Sequence, residues 1–176
     1  MKAGNLLRIE SKIAVDHERI YRAHQTRILN LCRLLLRDTD EAEDVAQEVF
    51  LRAFERLTSQ EPPTVWEAWL VRVAVNACRD RQRSGWWKSR TRRGDLDELA
   101  PWLSSSSEES ARTREWQARL WQQLRTLKSK QRNVFVLRYI EGWSTNEVAE
   151  TLGLSAAGVK THLFRAVRHL RKAVER

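Results

Sequence analysis

Lys160, Thr161, His162, Phe164, Arg165 and Arg168 fall in one short stretch near the C-terminal end, at spacings that gather most of them on one side of a helix. Such side chains recognise rather than react: cations meet phosphates, and an arginine fork can grip a base edge. A second set, Arg72, Asn76, Arg79 and Arg83, recurs at i, i+4, i+7 and i+11 and leads into Trp86 and Trp87 within a basic run. Arginines interleaved with tryptophans suit unpaired nucleic acid, because bases stack on the rings while the cations follow the backbone. A third set has the opposite sign. Asp44, Glu48, Leu51 and Glu55 repeat the same spacing, with Glu41 and Gln47 alongside. An acidic stripe centred on a leucine fits a docking surface for a basic protein partner. None of the three is a catalytic set, and no P-loop, GxSxG or HExxH string occurs, so no enzyme is expected. Cys32, Cys78 and the four histidines lack metal-ligand spacing, so neither metal nor cofactor is expected.

The elements that must position these residues read as helices. Ser144 and Glu147 have capping-box spacing, Val148, Ala149 and Leu152 supply an apolar face, and Gly153 suits a left-handed helix end. Ser155 then caps a second helix, buried along Val159, Leu163, Ala166, Val167, Leu170 and Val174. Helix, turn and basic helix together form a helix-turn-helix, whose second helix fits a major groove. The same motif occurs in proteins that bind no DNA, and a basic face is often merely solvated. The rest of the chain has to decide.

Across 176 residues the formal net charge is +9, which favours a polyanionic partner, nucleic acid ahead of membrane. No run is long enough to span a bilayer and no signal peptide is visible, so a soluble cytoplasmic protein is expected. Glycine and proline are scarce, and the periodicity predicts helices at about 16–37, 39–57, 64–83, 109–127, 129–141, 145–152 and 156–173. In the third of these, Trp66, Leu70, Val73 and Ala77 are expected to point inward. Residues 94–108, with Pro101 and consecutive serines, read as a flexible linker. The expected architecture is all-α: helical domains at 1–93 and 109–176 on either side of that linker.

Three strings, in this order, carry a resemblance: Asp40-Glu-Ala-Glu-Asp-Val-Ala-Gln-Glu-Val-Phe-Leu-Arg-Ala-Phe54, Trp69-Leu-Val-Arg-Val-Ala-Val-Asn-Ala77, and Leu127 to Ser144 running into the helix-turn-helix. Together they resemble the extracytoplasmic-function (ECF) group of bacterial RNA polymerase sigma factors, of the sigma-70 family. The resemblance implies a region 2-like helical bundle followed by a region 4-like helix-turn-helix. It implies that Asp44, Gln47, Glu48, Leu51 and Glu55 dock on the clamp helices of the polymerase's largest subunit, with a further contact to the flap of the second largest. Arg72, Asn76, Arg79, Arg83, Trp86 and Trp87 would take the unpaired −10 element, with Asn76 at a flipped base. Ser155, Lys160, Thr161, His162, Phe164, Arg165 and Arg168 would read the −35 duplex. An anti-sigma protein is the further implied partner of such a chain, beside core polymerase and promoter DNA.

The chain departs from the family where Gly-Thr-Val-Lys-Ser-Arg is common: it has Ala157-Gly158-Val159-Lys160-Thr161-His162, displacing a glycine and placing His162 where arginine is usual. The alternative reading is a helix-turn-helix regulator that is not a polymerase subunit. It leaves the acidic helix and the Arg-Trp surface unemployed. A nucleic-acid-processing enzyme explains the charge but has no visible catalytic set.

Overall fold

The computed structural model describes residues 2–58, 62–84 and 111–174, with side chains for 15–58, 62–84 and 119–172. Trp86, Trp87 and the expected linker lie outside the described residues. The chain divides into two compact units, Met1–Arg92 and Arg93–Arg176. Every described element is helical.

In the first unit α1 (Lys2–Leu36), α2 (Thr39–Leu57) and α3 (Trp66–Arg83) pack each against the other two. Helix α1 begins well before the expected Asp16, because no proline and only Gly4 interrupts the residues preceding it. Ile28, Leu31, Cys32, Leu35 and Leu36 of α1, Ala42, Val45, Val49 and Ala53 of α2 and Leu70, Ala74 and Val75 of α3 are buried in the core. Both cysteines are buried free thiols. The buried side of α3 is rotated from the expected one. Val71, Ala74, Val75 and Cys78 join Leu70 and Ala77, while Trp66 and Val73 are only half-buried. With α1 on one side and α2 on the other, α3 buries a broad arc, whereas single-stripe periodicity locates only one line.

Capping sets the turns. Arg37 takes the left-handed conformation at φ 65°, reversing the chain after α1. Asp38 Oδ1 then accepts the Glu41 N–H at 3.1 Å and opens α2. Gln82 Nε2 donates to the Leu35 carbonyl at 2.6 Å, so a side chain of α3 satisfies one of the orphan carbonyls at the end of α1.

In the second unit α4 (Ala111–Thr126), α5 (Ser129–Phe135), α6 (Thr145–Leu152) and α7 (Ala156–Val174) follow in order, and α4, α5 and α6 all pack on α7. Trp121, Leu124, Leu127, Val134, Leu137, Val148, Val159, Ala166 and Leu170 form the core. The helix expected to run from Ser129 to Glu141 is α-helical only to Phe135; Val136–Ile140 form a π-helical turn. The Glu141 N–H reaches back to the Val136 carbonyl at 3.0 Å and the Trp143 N–H to the Leu137 carbonyl at 2.9 Å. Arg138 Nη1 donates to the Trp143 carbonyl. These bonds satisfy the helix end while the chain bends at Gly142, φ 71°. Hydrophobic periodicity does not register a five-residue widening of this kind.

Candidate nucleic-acid and partner interfaces

On α2 the residues of the acidic stripe stand differently from one another. Asp44, Gln47, Leu51 and Glu55 are exposed, Leu51 by 66%. Glu48 is half-buried and is held by Arg52 of its own helix and by Arg81 of α3, the latter at 3.9 Å. Arg81 also pairs at 3.0 Å with Glu41, which is buried. Spacing alone conceals these two roles. Arg81 lies among other arginines in the sequence, and only the approach of α3 to α2 separates it from them.

On α3, Arg72, Asn76 and Arg83 are exposed and Arg79 half-buried, so the described part of the Arg-Asn stripe faces water along one side of the helix. Arg79 Nη2 lies 3.5 Å from Asp80 Oδ1. At the start of this helix, Trp66 and Trp69 meet edge to face at 5.6 Å and are half-buried, next to an exposed Val65.

The helix-turn-helix is built by the residues its spacing predicts. Ser144 Oγ accepts the Glu147 N–H at 3.2 Å and Glu147 Oε2 accepts the Ser144 N–H at 2.8 Å, closing the capping box of α6. Gly153 ends that helix at φ 63°, and the Leu154 N–H returns to the Ala149 carbonyl at 2.9 Å. Ser155 Oγ accepts the Gly158 N–H at 3.0 Å and so starts α7. A Cβ at position 158 would sit 3.2 Å from that same Oγ, so the displaced glycine lies where the cap is tightest.

The outer face of α7 presents Lys160, Thr161, Phe164, Arg165 and Arg168 to solvent, with Ser155 exposed at its start. The Thr161 hydroxyl donates to the Ala157 carbonyl at 2.9 Å. Phe164 is 66% exposed, an apolar ring in the middle of a cationic surface. His162 departs from this face. It is half-buried, and its Nδ1 is enclosed without a hydrogen-bond partner among the described residues. Burial first, then the charges of Lys130 and Arg165, hold its pKa below the ordinary histidine value. The imidazole is therefore neutral near pH 7 and retains an acceptor nitrogen that an arginine lacks. Behind the face, Thr126 donates to the Gln123 carbonyl at 2.7 Å, which leaves its oxygen to accept from His169 Nε2 at 2.7 Å and ties α7 to α4.

This surface can hydrogen-bond base edges, neutralise phosphates and offer one aromatic contact. Among the described residues no cluster of metal-ligating side chains occurs, and no helix is long and apolar enough to cross a membrane.

Comparison with known proteins places two family regions along the chain. Residues 20–88 match the family model for Sigma-70 region 2, and residues 117–170 that for Sigma-70, region 4. The chain is 33% identical over 161 residues to the RNA polymerase sigma-E factor of Streptomyces avermitilis, covering 92% of this chain and 86% of that protein. It is 30% identical over 162 residues to the ECF RNA polymerase sigma factor SigW of Bacillus subtilis, covering 85% and 83%. In fold it is similar to the sigma factor RpoE of Bartonella quintana, crystallised with the anti-sigma factor NepR. That match has TM-score 0.64 at 19% identity and covers 91% of this chain and 97% of that one. It is also similar to CnrH, solved in complex with the cytosolic domain of CnrY, with TM-score 0.54, 22% identity and 95% of each chain covered. The matched regions cover most of the chain in their family order, and the chain belongs to the ECF sigma factors of the sigma-70 family, which bind core RNA polymerase and direct promoter-specific transcription initiation.

Proposed function

We propose that the three surfaces divide the work of initiation among them. The α2 face, with Asp44, Gln47, Glu48, Leu51 and Glu55, docks on the clamp helices of the polymerase's largest subunit. Arg72, Asn76, Arg79 and Arg83 on α3, continued by Trp86 and Trp87, hold the unpaired −10 strand, with Asn76 at a flipped base. Ser155, Lys160, Thr161, His162, Phe164, Arg165 and Arg168 read the −35 duplex. Within that set Arg165 is suited to a bidentate base contact and Phe164 to a thymine methyl. Residues 1–93 and 109–176 act as the two working domains joined by 94–108, and the second also meets the flap of the second-largest subunit.

One observation carries this reading: a single three-helix unit exposes both an acidic-apolar face and a basic strip. A duplex-binding regulator has use for neither. The energetics point the same way. Opening about ten base pairs costs on the order of 14 kcal/mol, while capturing a flipped base returns only a few kcal/mol. The free chain therefore does not melt DNA, and polymerase supplies the difference. The protein works in the bacterial cytoplasm and catalyses nothing itself. The solved relatives bound to NepR and to the cytosolic domain of CnrY support an anti-sigma protein as the partner that restrains this chain too.

The test is to mix the protein with sigma-free core polymerase and assay complex formation and promoter-selective transcripts. A stable complex that initiates selectively is the expected result. Sequence-specific duplex binding without any complex would assign the chain to the regulators instead.

A further inference from the structure

The seam between α1 and α2 carries a ladder of rings that lies beside the acidic stripe but is not part of it. Tyr21 meets Phe50 edge to face at 4.9 Å, and His17 meets Phe54 in the same way at 5.1 Å. His17 Nε2 lies 3.3 Å from the Phe50 carbonyl and pins the ladder to the α2 backbone. Each pair is spaced i, i+4 on its own helix, so the two rungs run along antiparallel neighbours. Phe50 is buried, but Phe54 and Tyr21 remain 43% and 39% exposed. Phe54 lies three residues from Leu51 on the same side of α2, so the open apolar surface runs from Leu51 across Phe54 to α1.

Charge pairing marks the other margin. Glu48, on the α3 side of α2, is engaged by Arg52 and Arg81. Asp44 and Glu55, by contrast, have no ion-pair partner among the described residues. The acids open to a partner therefore flank the apolar strip, while the acid toward α3 is already committed inside the chain.

We infer that the docking face is displaced toward α1: Asp44, Gln47, Leu51, Phe54 and Tyr21 receive the basic helical surface of the partner, and Glu48 is a positioning residue. The inference rests on the polymerase-docking reading of α2, adds Phe54 and Tyr21 to that face, and revises it at Glu48, which moves from contact to support. An apolar side chain of the partner helix seats over Leu51 and Phe54, and its cations fall on Asp44 and Glu55. This is the arrangement of an apolar centre with a charged rim. Glu48 holds Arg52 and Arg81 in place and so keeps α2 presented by α3.

Core polymerase titrated with labelled protein tests this. Leu51→Ala and Phe54→Ala are each expected to weaken assembly about tenfold, Asp44→Asn about fivefold, and Glu48→Gln less than about twofold. Loss with Glu48→Gln equal to that with Asp44→Asn, together with unchanged binding by Phe54→Ala, overturns the proposal. Because Phe54 packs on His17, its variant is checked by circular dichroism, and a second measurement stands apart from folding. A benzophenone side chain placed at position 21 is expected to crosslink to the polymerase's largest subunit, whereas one placed at Arg72 is not. No crosslink from position 21 in an assembled complex also overturns the displacement. Failure of the unaltered protein to bind core at all would defeat the docking reading itself, which is a separate result.

Discussion

Arg81 Nη1 of α3 lies 3.0 Å from Glu41 Oε2 of α2, and the Glu41 side chain is only 4% exposed. A carboxylate removed from water to that extent needs a nearby cation. Arg81 is itself a third exposed, so its guanidinium keeps partial contact with solvent. The pair locks the first turn of the proposed docking helix to the last turn of the helix that carries Asn76.

Removal of either partner is therefore unequal in effect. Arg81→Ala removes the guanidinium 3.0 Å from a buried carboxylate and is expected to cost about 2 kcal/mol of stability, below the range for a fully buried pair because Arg81 reaches solvent. Glu41→Gln leaves a cation that water and Glu48 can still meet, and should cost about 1 kcal/mol. Urea denaturation of both variants checks the order, and a larger loss for Glu41→Gln would contradict it.

At Gly153 the penalty is conformational. No atom lies within 4 Å of where a Cβ would stand, yet φ is 63°. Gly153→Ala is expected to lower the stability of the helix-turn-helix by about 1 kcal/mol without any clash. Gly153→Asn should recover part of the loss, since asparagine tolerates the left-handed region. Thermal melts of the two variants decide the matter, and equal losses would point to a steric cause.

Acid should weaken the second unit through His162. Burial, Lys130 and Arg165 hold its folded pKa below the unfolded value, so the unfolded chain takes up this proton first. Stability from this group is complete above the ordinary histidine value of about 6.5 and is lost as pH falls below it, through the lowered folded pKa. The wild-type protein is expected to lose more stability than His162→Gln between pH 7.5 and pH 5.5, both test conditions being on the order of one unit from that value. Parallel losses would show that other groups carry the pH dependence.

Phe164 offers a test that reads a single methyl group. In a −35 duplex, replacing thymine by uracil at the contacted position removes one methyl, worth about 0.8 kcal/mol or roughly fourfold in affinity. That loss should occur with the wild-type protein and vanish with Phe164→Ala. Equal sensitivity of both proteins to the replacement would remove Phe164 from base readout.

The chain itself determined its helical class, because apolar residues recur at helical spacing with few glycines or prolines to interrupt them. It also determined the helix-turn-helix caps: Ser144, Glu147, Gly153 and Ser155 act within a few residues of themselves, and local geometry is legible locally. What only the tertiary structure decided is how side chains on one helix are divided by the approach of another. Glu48 and Asp44 share one face of a helical wheel, but α3 brings Arg81 to the first and not to the second. The arc buried on α3, the half-enclosure of His162 and the aromatic seam of α1 and α2 have the same origin. Each depends on contacts between residues distant in the chain, which spacing within one element does not encode.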